Sequence, residues 1–211
     1  KPGEKHGRRQ DNKKRTEERI LAAALDLFRR KGFERTTTQS ICRRAGIAEG
    51  TLFNYFRTKE DLALYFFEKG AREVMEAYRR DKRIQKVPLA EKLFYVIQKE
   101  LDHMAPYENF IGAVSMRAMQ PDSVLCPFSE PSRDLSMKWI DFVREILAEA
   151  PETKKDPFLV EFGPHLLWML YFGVIGHWPY DTSPNKEKTT ALVDRVLKWA
   201  VQAAGRGGSK W

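Results

Sequence analysis

The side chains best suited to chemistry cluster between positions 38 and 59, and their types suit reading a nucleic acid rather than breaking a bond. Asn54 carries an amide that can pair bidentately with an adenine edge. Thr51 offers a hydroxyl for a phosphate and a methyl for a thymine, and Tyr55 can donate to a phosphate. Gly50 lets the backbone approach a duplex closely. Thr38 and Gln39 open a short segment whose free amides and polar side chains favour phosphate. Arg43 and Arg44 add positive charge, either as phosphate contacts or as solvated residues. Glu49 would be repelled by phosphate, so it either reads a cytosine amine or points away.

These groups act together only if two short helices present them. Thr38 is expected to cap the first, Gln39 to Arg44, which has Ile41 on its inner face. Ala45-Gly46 ends it, since glycine accepts the left-handed backbone of a helix stop. Ile47 plugs the turn, and Ala48 to Tyr55 form the second helix with Leu52 inward. Two short helices joined by a glycine-containing turn make a helix-turn-helix, whose second helix enters the major groove. The plain alternative is a pair of connector helices in an all-α domain. An earlier helix supports the pair: Thr16 is its expected N-cap, followed by Glu17 and Glu18 in the first turn. Ile20, Leu21, Ala24, Leu25, Leu27 and Phe28 give it an apolar stripe, and Gly32 stops it after Arg29, Arg30 and Lys31. Phe33 and Ile41 are expected to pack on it, which completes a three-helix unit over 16–58. Residues 1–15 are almost without apolar side chains and read as a mobile basic arm, which either reaches into a minor groove or stays solvated.

The charge follows the same division. The 211 residues carry a formal charge of +8. Residues 1–59 hold 16 Lys/Arg against 7 Asp/Glu, whereas the remainder holds 21 against 22. A basic segment joined to a near-neutral one is the electrostatic footprint of nucleic-acid binding. Two cysteines, Cys42 and Cys126, make neither a disulfide framework nor a zinc site. The N-terminal stretch lacks an apolar run, and the longest such run, Leu166 to Ile175, is too short to cross a bilayer. The expectation is a cytoplasmic protein with no membrane partner.

Downstream, Thr58 and Asp61 form a capping pair for a long helix reaching about Arg80. Helices are expected over Leu89–Met104, Tyr107–Met119 and Ser132–Glu149, with a proline-rich loop at 121–131 and a polar connector at 151–156. Phe158 to Trp178 is apolar on every face between Leu166 and Ile175, so it must be buried all round. One side can meet its own domain, and a second copy of the chain is the simplest cover for the other. Gly163-Pro164 starts or kinks this helix. The last helix, about Lys186 to Ala204, has Leu192, Val193, Val196 and Leu197 on one face, and residues 205–211 form a glycine-rich tail. No strand alternation and no repeat is visible, so the fold class is all-α with about nine helices. The four histidines, at 6, 103, 165 and 177, lack metal-ligand spacing, and no nucleophile motif or phosphate loop is present. A metal site of His165, His177 and Asp181 is the remote enzyme reading. No enzyme activity, metal or cofactor is expected.

Residues 16 to 66 resemble a known family. Ile20-Leu21-Ala22-Ala23-Ala24, Leu27-Phe28, Gly32-Phe33, Thr36-Thr37-Thr38, Ile41, Ala45-Gly46-Ile47, Gly50-Thr51-Leu52-Phe53-Asn54-Tyr55-Phe56 and Lys59-Glu60-Asp61-Leu62 look like the N-terminal domain of the tetracycline-repressor (TetR) family. The remaining two-thirds resemble it only in being helical and of the right length. The resemblance implies a homodimeric regulator, by default a repressor, on double-stranded DNA. Two-fold symmetry then implies an inverted-repeat operator with half-sites about one turn, or a multiple, apart. It implies that residues 59–204 form a ligand-binding and dimerisation domain taking a small-molecule, largely apolar inducer. It also implies that the long helix after the DNA-binding unit acts as a lever. Lys59 matches the family's phosphate-contacting lysine. Phe53 departs from the family's usual tyrosine, so it either packs inward or touches a thymine methyl. Candidate ligand contacts are His103, Met104, Arg117, Trp139, Phe142, Trp168 and Phe172, each of which could equally be ordinary core. In the family the final two helices of each subunit form a four-helix interface, here Leu170, Val174, Trp178, Leu192, Val196 and Trp199. A DNA-binding protein of the same kind without ligand control is the alternative.

Overall fold

The computed structural model describes residues 2–153 and 157–207. Among them nine α-helices and four short 3-10 turns follow one another, with no strand. They form two compact units, one up to Phe66 and one from Phe67.

The first unit contains α1 (Pro2–Lys31), α2 (Thr38–Ala45), α3 (Glu49–Phe53) and the start of α4 (Lys59–Arg80). Its core is made of Ile20, Ala24, Phe28, Phe33, Ile41, Leu52, Phe56, Leu62 and Phe66, all buried. Phe28 and Phe33 meet with ring centroids 5.0 Å apart, so the turn after α1 is pinned onto α1 itself. Gly32 has φ +82° and Gly46 φ +64°, the left-handed values that end α1 and α2. After Gly46, the Ile47 amide donates to Cys42 O at 3.1 Å and closes the end of α2. Cys42 is buried, a packed residue.

Two of the expected N-caps differ, Thr38 and Thr16. α2 is capped by Thr37, not Thr38. The Ser40 amide donates to Thr37 Oγ1 and the Thr37 amide to Ser40 Oγ, a reciprocal box that only Thr37 can make because Ser40 lies three residues on. Thr38 is the first helical residue. Thr16 caps nothing: α1 begins at Pro2, and Thr16 Oγ1 donates back to Asn12 O at 2.9 Å in mid-helix. The lysines, arginines and glutamines upstream are good helix formers, so nothing in residues 10–15 stops the helix. Of the expected arm, Lys1 lies outside the described residues. The box at α4 is as expected: the Asp61 amide donates to Thr58 Oγ1, and the Thr58 and Arg57 amides donate to Asp61 Oδ2.

The second unit begins at Phe67 within α4 and continues through α5 (Leu89–Met104), α6 (Glu108–Ala118), α7 (Glu130–Glu149), α8 (Pro157–His177) and α9 (Glu187–Gly207). α7 packs along α8, and α5 lies against α9. The core is Leu93, Val96, Ile97, Leu101 and Met104 of α5, Phe110, Ile111 and Val114 of α6, and Trp139, Phe142, Val143 and Ile146 of α7. α8 begins upstream of Gly163-Pro164 and carries Pro164 inside it. With its following turn it spans Phe158–Tyr180, long and apolar enough by length and composition to cross a membrane, more than the expected run at 166–175. α7, α6 and α9 pack against it. The start of α9 is set by Asp181, whose carboxylate accepts from the Ser183 and Thr189 amides and hydroxyls. Asn185 and Lys186 both take positive φ just before it. The ends of the expected connector (154–156) and tail (208–211) lie outside the described residues.

Candidate functional site

α3 stands out from the first unit on one buried residue, Leu52. Glu49, Gly50, Phe53 and Asn54 are exposed, and Thr51 and Tyr55 half-buried. Phe53 is 48% exposed, so of its two expected placements the inward one is ruled out. A Cβ on Gly50 would meet nothing within 4 Å, so the fold itself makes no demand for glycine there. On α2, Gln39 and Arg43 are exposed and Thr38 half-buried, beside the buried Ile41, Cys42 and Ala45. Arg44 is held by Asp26 of α1 at 3.0 Å, and the same carboxylate takes Arg30 at 2.9 Å. The structure therefore brings the predicted polar residues of α2 and α3 onto accessible surface of the same unit, next to a basic stretch of α1.

Lys59 has other partners than expected. Its ammonium donates to Phe33 O at 3.0 Å and Glu34 O at 3.2 Å, and sits 4.5 Å from the centre of the Phe33 ring. Its side chain is only 18% exposed. The cation is tied to the turn between α1 and α2, because two carbonyls beyond the end of α1 lack helical donors and the lysine supplies them.

The second unit places the expected ligand residues unevenly. Met104, Trp139, Phe142 and Trp168 are buried, and His103 and Phe172 partly so. Arg117 is exposed on α6 and does not enter the core, since its position in the helix faces outward between Met116 and Ala118. Aromatic rings run along α8: Trp168 stacks on Phe172 at 6.1 Å, Phe128 meets Trp168 edge-on at 5.5 Å, and Tyr171 stacks on Trp139 at 4.8 Å. The Trp139 indole N–H is buried and has no hydrogen-bond partner among the described residues. One buried polar residue has no expected role in the sequence reading, Glu100. Glu100 is 2% exposed and accepts from the Tyr171 hydroxyl. Burial pushes its carboxyl up to about 8, so it is largely neutral at pH 7. Burial, and then the Glu100 charge, hold the Tyr171 hydroxyl well above its usual range. Burial, and then Glu149, raise Tyr78 to about 12. The signal for Glu100 was present: it falls on the stripe of Leu93, Val96, Ile97 and Met104.

His103 presses on α4 at Gly70. A Cβ on Gly70 would lie 2.7 Å from His103 Cδ2 and 2.9 Å from Nε2. Gly70→Ala is therefore expected to destabilise the second unit by about 1–3 kcal/mol through overpacking. Adding His103→Ala should recover most of that loss, and a denaturant double-mutant cycle reads the coupling. Strict additivity of the two changes would show that the contact does not constrain α4.

The interface candidates also divide. Val174 and Trp178 are buried within the subunit, because α8 turns that side to its own core, and Leu170 is half-buried. Leu192 and Trp199 are 48% and 71% exposed, with Val196 half-buried on the same stripe. On α8 the outward large apolar residues are Phe158, Phe162, Leu166 and Met169, none of them among the expected interface residues. The remote metal site does not form: His165 and His177 are exposed, and Asp181 is committed to capping α9.

Comparison with known proteins decides the lineage. The family described as bacterial regulatory proteins, tetR family, matches residues 20–66. A second family model, tetracyclin repressor-like C-terminal domain, matches residues 92–207, more than half of the chain. The chain belongs to the TetR family. Among curated TetR relatives, the fatty acid metabolism regulator protein of Bacillus subtilis (strain 168) is 30% identical over 101 residues, 48% of this chain and 52% of that one. The chain thus spans about half the length of this relative, and its match to others is shorter still. Thermus thermophilus FadR, a TetR-family repressor solved in complex with lauroyl-CoA, is 25% identical with a TM-score of 0.66, covering 86% of this chain and 92% of that one. A TetR regulator from Nitrosomonas europaea has a TM-score of 0.70 at 18% identity, covering 88% and 98%, and shares the fold.

Proposed function

We propose that this TetR-family chain is a DNA-binding transcriptional regulator, by family default a repressor, that acts in the cytoplasm as a homodimer on an inverted-repeat operator and is released by a small-molecule inducer. The observation that carries the DNA-binding part is the surface of α3, shorter than the expected Ala48–Tyr55, where Gly50 and Phe53 project around a single buried anchor with exposed Asn54 capping the helix end. Gly50 has no packing reason to be glycine, and an approaching backbone or base supplies one. Phe53 offers its ring to a thymine methyl, and Asn54 its amide to adenine. Thr38, Gln39, Arg43, Thr51 and Tyr55 are assigned to phosphate, with Arg44 oriented by Asp26.

The homodimer is supported by the exposed apolar stripes of α8 and α9, Phe162, Leu166 and Met169 with Leu192 and Trp199. The ligand is assigned a long apolar portion. Its support is the aromatic run around Trp139, Trp168 and Phe172, and the lauroyl-CoA bound by the Thermus relative. The buried, unpartnered Trp139 N–H adds a donor for one acceptor on that ligand.

Selection of duplexes from a random pool by the full chain tests the reading. A symmetric inverted repeat is expected, and lauroyl-CoA, but not coenzyme A alone, is expected to release it. Recovery of unspecific DNA only would count against sequence-specific regulation. Asn54→Ala should lose about 1–3 kcal/mol of discrimination at one base pair of each half-site. Equal loss on all sequences would remove Asn54 from base readout.

A further inference from the structure

Beside α3 the first unit carries a cleft of about 600 Å³ that joins expected DNA contacts to the upstream part of α1. Gln10, Asn12, Lys13 and Thr16 of α1 form one wall, and Thr51, Asn54 and Tyr55 form the other. Among the described residues the lining contains one cation, three side-chain amides and three hydroxyls, and no carboxylate. Asp11, the acid nearest in sequence, is outside it. Amides, hydroxyls and ammonium groups are the side chains that contact phosphate and sugar, and none of these seven residues would repel an anion. The α1 wall runs from Gln10 to Thr16, six helical rises or about 9 Å at 1.5 Å each, which matches two to three nucleotide steps of one strand at 3.4 Å each.

We propose that this cleft seats the sugar–phosphate backbone of the DNA strand adjoining the bases read by α3, with Lys13 pairing a phosphate and Gln10 and Asn12 bonding its neighbours. The inference rests on the DNA-binding reading above and extends it to a second element. Because residues 10–16 already belong to α1, the contact is a preformed helical wall rather than an arm that must order on binding. Lys13, Gln10 and Asn12 are exposed and stand beyond the buried stripe that begins at Ile20, so replacing them leaves the core intact. The contact adds affinity and register but no base discrimination of its own.

The test measures binding of the full chain to its selected duplex across a salt series, for the unaltered protein, Lys13→Ala, and Gln10→Ala with Asn12→Ala. Single phosphates of the duplex are then neutralised one at a time as methylphosphonates. Lys13→Ala is expected to weaken operator and unrelated duplexes alike, roughly ten-fold at 0.1 M salt, and to lower the salt slope by about one unit. One phosphate in each half-site should matter to the unaltered protein and no longer matter to Lys13→Ala. An unchanged slope, or identical methylphosphonate profiles for the two proteins, overturns the proposal while leaving DNA binding by α3 in place. If the unaltered protein binds no duplex at all, the DNA-binding reading falls and the cleft assignment with it. The double amide variant guards against a local effect of Lys13 on α1: it should reduce affinity severalfold with the slope preserved, and full retention of affinity would also count against the cleft.

Discussion

Glu100→Gln is expected to flatten the fall in stability that this chain should show between about pH 4.5 and 8. Glu100 lies on the buried stripe of α5, and burial raises its carboxyl to about 8 despite the hydrogen bond from Tyr171. In that window the folded chain keeps the proton and the unfolded chain gives it up. The folded state therefore binds more protons, and the free energy of unfolding falls as pH rises, by at most about 1.4 kcal/mol per unit. The stabilising share of the protonated acid is fully present below 4.5 and gone above 8. At pH 8 the loss is on the order of a few kcal/mol, a large part of an ordinary domain's stability. Glutamine keeps a carbonyl for the Tyr171 hydroxyl and has nothing to titrate. Denaturant unfolding of both proteins at pH 5, 6, 7 and 8 should give curves that diverge steadily in favour of Glu100→Gln. Since every other group titrates alike in the two, parallel pH profiles would mean that Glu100 is hydrated or ionised in the folded state.

Much of the first unit was legible because its signals are local. Gly32 and Gly46 stop helices at the positions where the chain needs a left-handed residue, and the Thr58–Asp61 pair is three residues apart, as a capping box requires. The slips have local causes too. Thr36-Thr37-Thr38 offers three equivalent hydroxyls, and only the reciprocal bond with Ser40 selects Thr37. The upstream part of α1 has no apolar period to announce it, so its helix was invisible, and with it the cleft against α3. In the second unit the difficulty is different. Between Leu166 and Ile175 α8 is apolar on all sides, so only Glu161, His165 and His177 beyond that stretch mark its outward side, and Val174 and Trp178 pack inward rather than outward. Glu100 was readable from its place in an apolar stripe, but a single acid at such a position looks the same whether it is buried or bends away. Arg117 shows the converse, an amphipathic helix whose cation simply stays in water.

Lys59→Ala is expected to loosen the first unit without changing how DNA binding responds to salt. Lys59 is the first residue of α4, and its ammonium reaches back 26 residues to the turn between α1 and α2. Two carbonyls accept from it, the Phe33 ring lies beneath it, and Glu34 stands 3.6 Å away on the solvent side. Hydrogen bonds from a charged donor contribute about 1.5–3 kcal/mol and the ring contact about 0.5–1. The exposed Glu34 pair adds little. Truncation should therefore cost about 2–4 kcal/mol, reduced to the extent that water reaches Glu34 O. The Thr36 amide, which donates to Phe33 O at 3.2 Å, should lose hydrogen-exchange protection first, because its acceptor is the carbonyl that Lys59 holds. Operator affinity should fall by a similar factor on every sequence, since α2 hangs from this turn. Its dependence on salt should stay the same, because no phosphate has lost a partner. A contact made directly to DNA behaves otherwise: removing one cation from a phosphate lowers the salt slope by about one unit whether or not the fold is weakened. The slope thus separates the two roles of a single lysine. A drop of one unit with an intact Thr36 amide would show that, on the operator, Lys59 leaves the turn for the phosphate.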